Sequence, residues 1–179
     1  IASAALSLSK GLNFMDMDME TNQLSVTISA KEGEKLTFEE LTQASDDVIQ
    51  RISKIKGIKR IRLGSLEPGI ITEEFVERIS SNSKVCPHFH LSLQSGCDSV
   101  LKRMNRKYTC EQYFEKCDML RKAYKSPALT TDVIVGFPGE TEEEFAETVR
   151  YLTELNLYEM HIFKYSPRKG TVAAAMKAQ

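Results

Sequence analysis

"TTDVIVGFPGETEEEF", residues 130–145, decides the fold. The apolar run Val133, Ile134 and Val135 reads as a buried strand. It goes straight into Gly136-Phe137-Pro138-Gly139, where the glycines permit positive φ and Pro138 stiffens the turn. Thr141, followed three residues later by Glu144, is a capping box, so a helix is expected at once, over about 142–155. The three glutamates of its first turn suit the positive end of the helix dipole and read as structural. The glycines leave two readings open: a tight loop, or a place where a ligand approaches bare backbone.

The same rhythm recurs along the chain. Residues 58–63 alternate as a strand and meet the turn "GSLEP" at 64–68. Apolar positions 71, 75, 76 and 79 form a helical face behind Thr72 as cap. Residues 88–93 alternate again and end at Gln94-Ser95-Gly96, before helices over about 98–105 and 110–124. A last strand over 158–165 ends in "SPRKG" at 166–170. Strands alternating with helices in units of about 25–40 residues predict an α/β fold with parallel strands. Right-handed crossovers then put every strand-to-helix turn on one edge, where such folds build their sites.

Residues 1–45 read as a separate N-terminal segment, and 46–179 as the α/β part. In the segment a strand is expected over 23–29, and the methionine-rich stretch 15–19 reads as a polar loop. Thr37 to Glu40 is a capping box that opens a helix to about residue 55.

The totals narrow the function classes. The 179 residues, 41% hydrophobic and 27% charged, suit a globular protein with a sizeable core. No stretch approaches the ~20 apolar residues of a membrane span, and no basic region precedes the small-residue start as in a signal peptide. The absence of an initiator methionine predicts a piece of a longer protein, and the cysteine usage predicts a cytoplasmic one. A net charge of −1 gives no global footprint for DNA or RNA, so any RNA contact must be local. Cys86, Cys97, Cys110 and Cys117 lack C-x-x-C spacing and read as reduced structural thiols. His88 and His90 share one face of an alternating strand, but a single strand offers only two ligands, so no metal site is assigned.

Several polar residues lie just past the strands. Ser65 and Glu67 occupy the first turn, and Gln94 and Ser95 the second. Lys102, Arg103, Arg106 and Lys107 form a basic run: a solvated face, or a place where Arg103 clamps a carboxylate. With Lys164, Arg168 and Lys169 it could make a local phosphate-binding patch.

"RIRLGSLEP", "CPHFHLSLQSGCDSVLKRMNRKYT", "TTDVIVGFPGETEEEF" and "HIFKYSPRKGT" stand in the order and spacing that resembles the radical S-adenosylmethionine (SAM) methylthiotransferases. The resemblance covers about residues 48–176 and is closest to the branch acting on threonylcarbamoyladenosine in tRNA. It implies a partial (β/α) barrel, half to three-quarters closed, with SAM at the C-terminal edge of the strands. It also implies two [4Fe–4S] clusters, one generating a radical from SAM and one supplying sulfur. On this resemblance Ser65, Glu67, Gln94, Ser95 and Arg103 bind SAM, Arg103 through the SAM carboxylate. Asp132, Gly136 and Gly139 form the wall near ribose and adenine. Tyr165 and Arg168 face substrate, and Arg106, Lys107 and Lys169 join them toward tRNA.

The departures from the family pattern carry their own expectations. The family's C-x-x-x-C-x-x-C loop occurs nowhere in the chain, and the four cysteines do not replace it. The resemblance implies an N-terminal cluster domain and a C-terminal RNA-binding domain in the full-length parent, so this chain is expected to be a fragment that holds no catalytic residue and is inert alone. Iron and sulfide are expected to build no stoichiometric cluster on it. The alternatives are an enzyme acting on isopentenyladenosine in tRNA or on a ribosomal-protein aspartate, or a non-catalytic α/β module that binds RNA.

Overall fold

The computed structural model describes residues 16–18, 23–25 and 37–176. Four parallel strands lie side by side: β3 (Ser65–Leu66), β4 (His88–Leu91), β5 (Ala128–Val135) and β6 (Glu159–Lys164). Sequential order equals spatial order, as strand–helix–strand crossovers of one hand require. A two-stranded antiparallel pair, β1 (Asp16–Asp18) with β2 (Gln23–Ser25), forms a second small sheet. The methionine-rich stretch expected to be loop therefore contributes a strand. Paired backbone groups satisfy each other whatever the side chains are. The rest of the strand expected over 23–29 lies outside the described residues.

The helices start where short-range chemistry dictates. Thr37, Thr72, Thr109 and Thr141 each accept a hydrogen bond from the third backbone N–H of the helix they open. These helices are α1 (Phe38–Ser53), α2 (Glu73–Ser80), α4 (Cys110–Ala123) and α5 (Glu142–Leu155). The boxes at Thr37, Thr109 and Thr141 are closed reciprocally by Glu40, Gln112 and Glu144. Asn156 ends α5 in the left-handed conformation at φ 48°. Helix α1 runs across residue 45, and Val48 and Ile49 bury its inner face. Among the described residues there are also two short α-helices, α3 (Asp98–Arg103) and α6 (Val172–Ala175), and a 3₁₀ turn at Pro68–Ile70.

Alternation along the strands assigns their two faces. Phe89, Leu91, Leu129 and Val133 are buried on the helix side with Phe75, Ile79, Tyr113 and Leu120. Each fully buried large apolar side chain contributes about 1.5–3 kcal/mol relative to exposure. His90, Asp132 and Ile134 project from the opposite, inner face, where each stays partly exposed.

The first strand departs from expectation. Residues 58–63 make one bridge, Ile61 with Val85, and the ladder proper begins at Ser65. Between the Ile61–Val85 bridge and the Ser65–His90 pair the register shifts by one residue, on the side that contains Pro87. Proline has no N–H to give a ladder, so the pairing breaks there and resumes past Gly64.

Candidate functional site

Parallel strands deliver their C-terminal ends to one edge. Glu67 follows β3, Gln94 extends β4, Gly136 follows β5 and Tyr165 follows β6. The second turn is less of a loop than its sequence suggests. Gln94, at φ 76°, receives Ile134 N–H on its carbonyl (2.8 Å) and donates its own N–H to the Asp132 carbonyl (2.9 Å). It thereby carries β4 onward alongside β5, with a parallel bridge to Val133. Thr131 stitches the same seam: its hydroxyl donates to the Leu91 carbonyl (2.5 Å) and accepts from Leu93 N–H (3.0 Å).

Ser95 is fully buried behind this edge. Its hydroxyl pairs with that of Thr148 on α5 (3.3 Å) and accepts from Cys97 N–H (3.3 Å). Gly96 beside it is the close-approach glycine. A Cβ there would meet Tyr151 Cδ1 at 2.8 Å and the Thr148 backbone at 3.1 Å. Sequence reading missed Gly96, because only the packing of α5 on this turn shows the need for it.

Arg103 sits at the end of α3 and forms a two-pronged pair with Glu144, Nη1–Oε1 2.9 Å and Nη2–Oε2 2.5 Å. Ser99 also donates to Glu144. The guanidinium and Ser99 hold the Glu144 carboxyl down at about 2, well below the usual range. Glu144 therefore closes its helix cap and clamps α3 to α5 together. Arg103 Nε is buried without a partner and lies 3.8 Å from where a Cβ on Gly139 would stand.

The Gly136–Gly139 turn has both glycines at positive φ, 71° and 77°. Its amides are not bare. Glu140 folds back to accept from Gly136 N–H (2.5 Å) and Phe137 N–H (3.3 Å). The space beside Gly136 is open for at least 4 Å from the position of a Cβ. Glu67 pairs with Arg106 (3.2 Å), and Ser65 stands exposed on β3 beside His90. Lys107 bonds the Asn105 side chain (2.6 Å), while Arg168 and Lys169 are exposed past β6. Tyr165 packs edge-on against Phe137 at 5.3 Å, its hydroxyl buried without a partner.

Asp132 is the focus of the inner face. His90 Nε2 lies 3.4 Å from one of its carboxylate oxygens and His161 Nδ1 3.3 Å from the other. Of the expected site residues, the structure gathers Ser65, Asp132 and Gly136 on the open side. It holds Ser95 and Arg103 in packing and ion-pair roles.

The four thiols are dispersed. Cys86 accepts from Arg60, Cys97 pairs with the Ser99 hydroxyl, and burial pushes Cys117 up to about 12 and Cys110 well above its ordinary value. Among the described residues no three cysteines converge, so the thiols present do not fit a [4Fe–4S] cluster.

A parallel sheet with helices on one face and a polar edge at the strand ends is the architecture of part of an α/β barrel. The chain belongs to the radical SAM superfamily, whose model matches residues 29–152. It is 48% identical over 127 residues to a threonylcarbamoyladenosine tRNA methylthiotransferase of Bacillus subtilis, covering 71% of this chain and 28% of that protein. A tRNA-2-methylthio-N6-dimethylallyladenosine synthase of Thermodesulfovibrio yellowstonii is 45% identical, with 72% and 30% covered. The chain thus spans about three-tenths of the length of the curated relatives it matches. Among solved structures, the coproporphyrinogen III oxidase of Escherichia coli, a radical SAM enzyme, superposes with TM-score 0.59 at 18% identity, covering 79% of this chain and 32% of that one. The radical SAM methyltransferase TsrM of Kitasatospora setae gives 0.57 at 16%, with 70% and 25% covered, so both likenesses speak to the fold alone. The partial barrel is therefore as expected.

Proposed function

We propose that this chain is the SAM-facing section of a cytoplasmic tRNA methylthiotransferase, acting on N6-threonylcarbamoyladenosine beside the anticodon. The identity of 48% to the Bacillus subtilis enzyme named for that nucleoside carries the reading. SAM lies against the inner edge, with Ser65, Gln94 and Asp132 offering polar groups and the Gly136–Gly139 turn offering close approach. Ser95 and Arg103 act as positioning residues, one seating α5 and the other tying α3 to it. Glu67 joins the edge through its pair with Arg106.

The clusters that cleave SAM and donate sulfur are held by other parts of the full-length protein. This chain alone is inert because its cysteines do not converge. Lys107, Arg168 and Lys169, with Arg106 and Tyr165, face the tRNA. The division into an N-terminal segment (1–45) and a barrel part (46–179) belongs to the same reading.

A second reading has a specific observation behind it. The 45% identity to a dimethylallyladenosine enzyme makes isopentenyladenosine the competing base. Deleting the gene and analysing tRNA nucleosides by mass spectrometry decides between them. Loss of the methylthio group from threonylcarbamoyladenosine supports the first, and loss from isopentenyladenosine supports the second. An unchanged nucleoside profile overturns both.

A further inference from the structure

We propose that His90, Asp132 and His161 form a binding site for one divalent transition-metal ion on the inner face of the sheet. The three residues come from three adjacent parallel strands. Asp132 pairs directly with His161 in the ladder, and His90 sits beside Thr130, two residues before Asp132 on the same face. One ligand atom from each lies within 4.8 Å of the others. His90 Nε2 lies 3.4 Å from one Asp132 oxygen and His161 Nδ1 3.3 Å from the other; with the carboxylate bound through both oxygens, these are close to the roughly 3–3.5 Å between neighbouring ligand atoms around an ion with bonds of ~2.0–2.2 Å.

The surroundings of His90 fit the same use. Its Nδ1 is engaged by the Thr130 hydroxyl at 3.0 Å, which leaves Nε2 directed at the carboxylate. A metal-binding imidazole characteristically has its second nitrogen fixed in this way. Two imidazoles and one carboxylate select a borderline ion such as Zn²⁺, Co²⁺ or Fe²⁺ over Mg²⁺ or Ca²⁺, and leave coordination positions open to the inner face. His161 is half exposed there, so an ion has access. The third histidine, His88, is not a member: its Nδ1 accepts from Arg62 at 3.3 Å. Asp132 is shared with the proposed SAM edge, whereas His90 and His161 belong to the ion site alone, so failure of the ion site would leave the tRNA reading untouched.

The test is a Co²⁺ titration of the chain without any histidine tag, followed by visible absorption and by Zn²⁺ competition. Expected are ligand-field bands saturating at one ion per chain and displaced by Zn²⁺. His90→Ala, His161→Ala and Asp132→Asn should each weaken binding at least about tenfold, and His88→Ala should leave it unchanged. In the unmutated chain, the ring-nitrogen resonances of His90 and His161 should shift with Zn²⁺ while those of His88 stay. That measurement holds even where a variant unfolds. No saturable band, undiminished binding by the folded variants, or a requirement for His88 would overturn the site and leave an ion-free His–Asp–His hydrogen-bond chain.

Discussion

Gly96 shows how much a single hydrogen atom decides. With a Cβ 2.8 Å from the Tyr151 ring and 3.1 Å from backbone, α5 must move off the turn. Gly96→Ala is expected to cost about 1–3 kcal/mol as overpacking. Urea unfolding should show it as a lower midpoint with an unchanged slope. The Arg103–Glu144 pair makes a second prediction at this scale. Glu144 has its folded pKa lowered to about 2 from 4.5. Its contribution is therefore complete above about pH 4.5 and is lost as pH falls through 2. Glu144→Gln should flatten stability over that window and lower it at neutral pH, readable by denaturation at several pH values. Neither partnership was legible in the sequence. Arg103 and Glu144 stand 41 residues apart, and Asp132 and His161 stand 29 apart, so only strand register and helix placement bring them together.

Elements were more readable because their signals are local. Thr72 and Thr141 were identifiable as caps from the residues within one turn of them, and both are caps. Thr141→Ala should remove about 1 kcal/mol of stability, measurable by chemical denaturation. The β3 strand was misplaced because its ladder depends on Pro87, the residue just before the partner strand β4. The role of Glu140 was invisible for a related reason. Only the folded turn shows its carboxylate on the amides of Gly136 and Phe137. Ser95 likewise reads as a polar turn residue in sequence, yet the weight of α5 against it makes it a buried one.

Across the molecule, burial is one-sided. Core residues concentrate between the strands and α1, α2 and α4, whereas all six residues of β6 are exposed. Among the described residues β6 has β5 as its sole neighbour in the sheet, and Ile162 and Phe163 are 61% and 53% exposed. An apolar edge strand is a template for pairing. The isolated chain should therefore associate as its concentration rises, and Ile162→Lys should suppress this in sedimentation velocity. The parallel α/β class was legible from the repeated strand–helix rhythm, and the partial barrel only through the resemblance of the motifs. Which turn residues stay open was not, because ion pairs and helix packing claim several of them.

The most direct test of the inner edge as the cofactor face is a titration of isotopically labelled chain with SAM, followed by backbone amide resonances. The shifts are predicted to cluster at Ser65, Gln94, Asp132 and the Gly136–Gly139 turn. Shifts confined to the outer helices α2 and α4, or none at millimolar SAM, would contradict it.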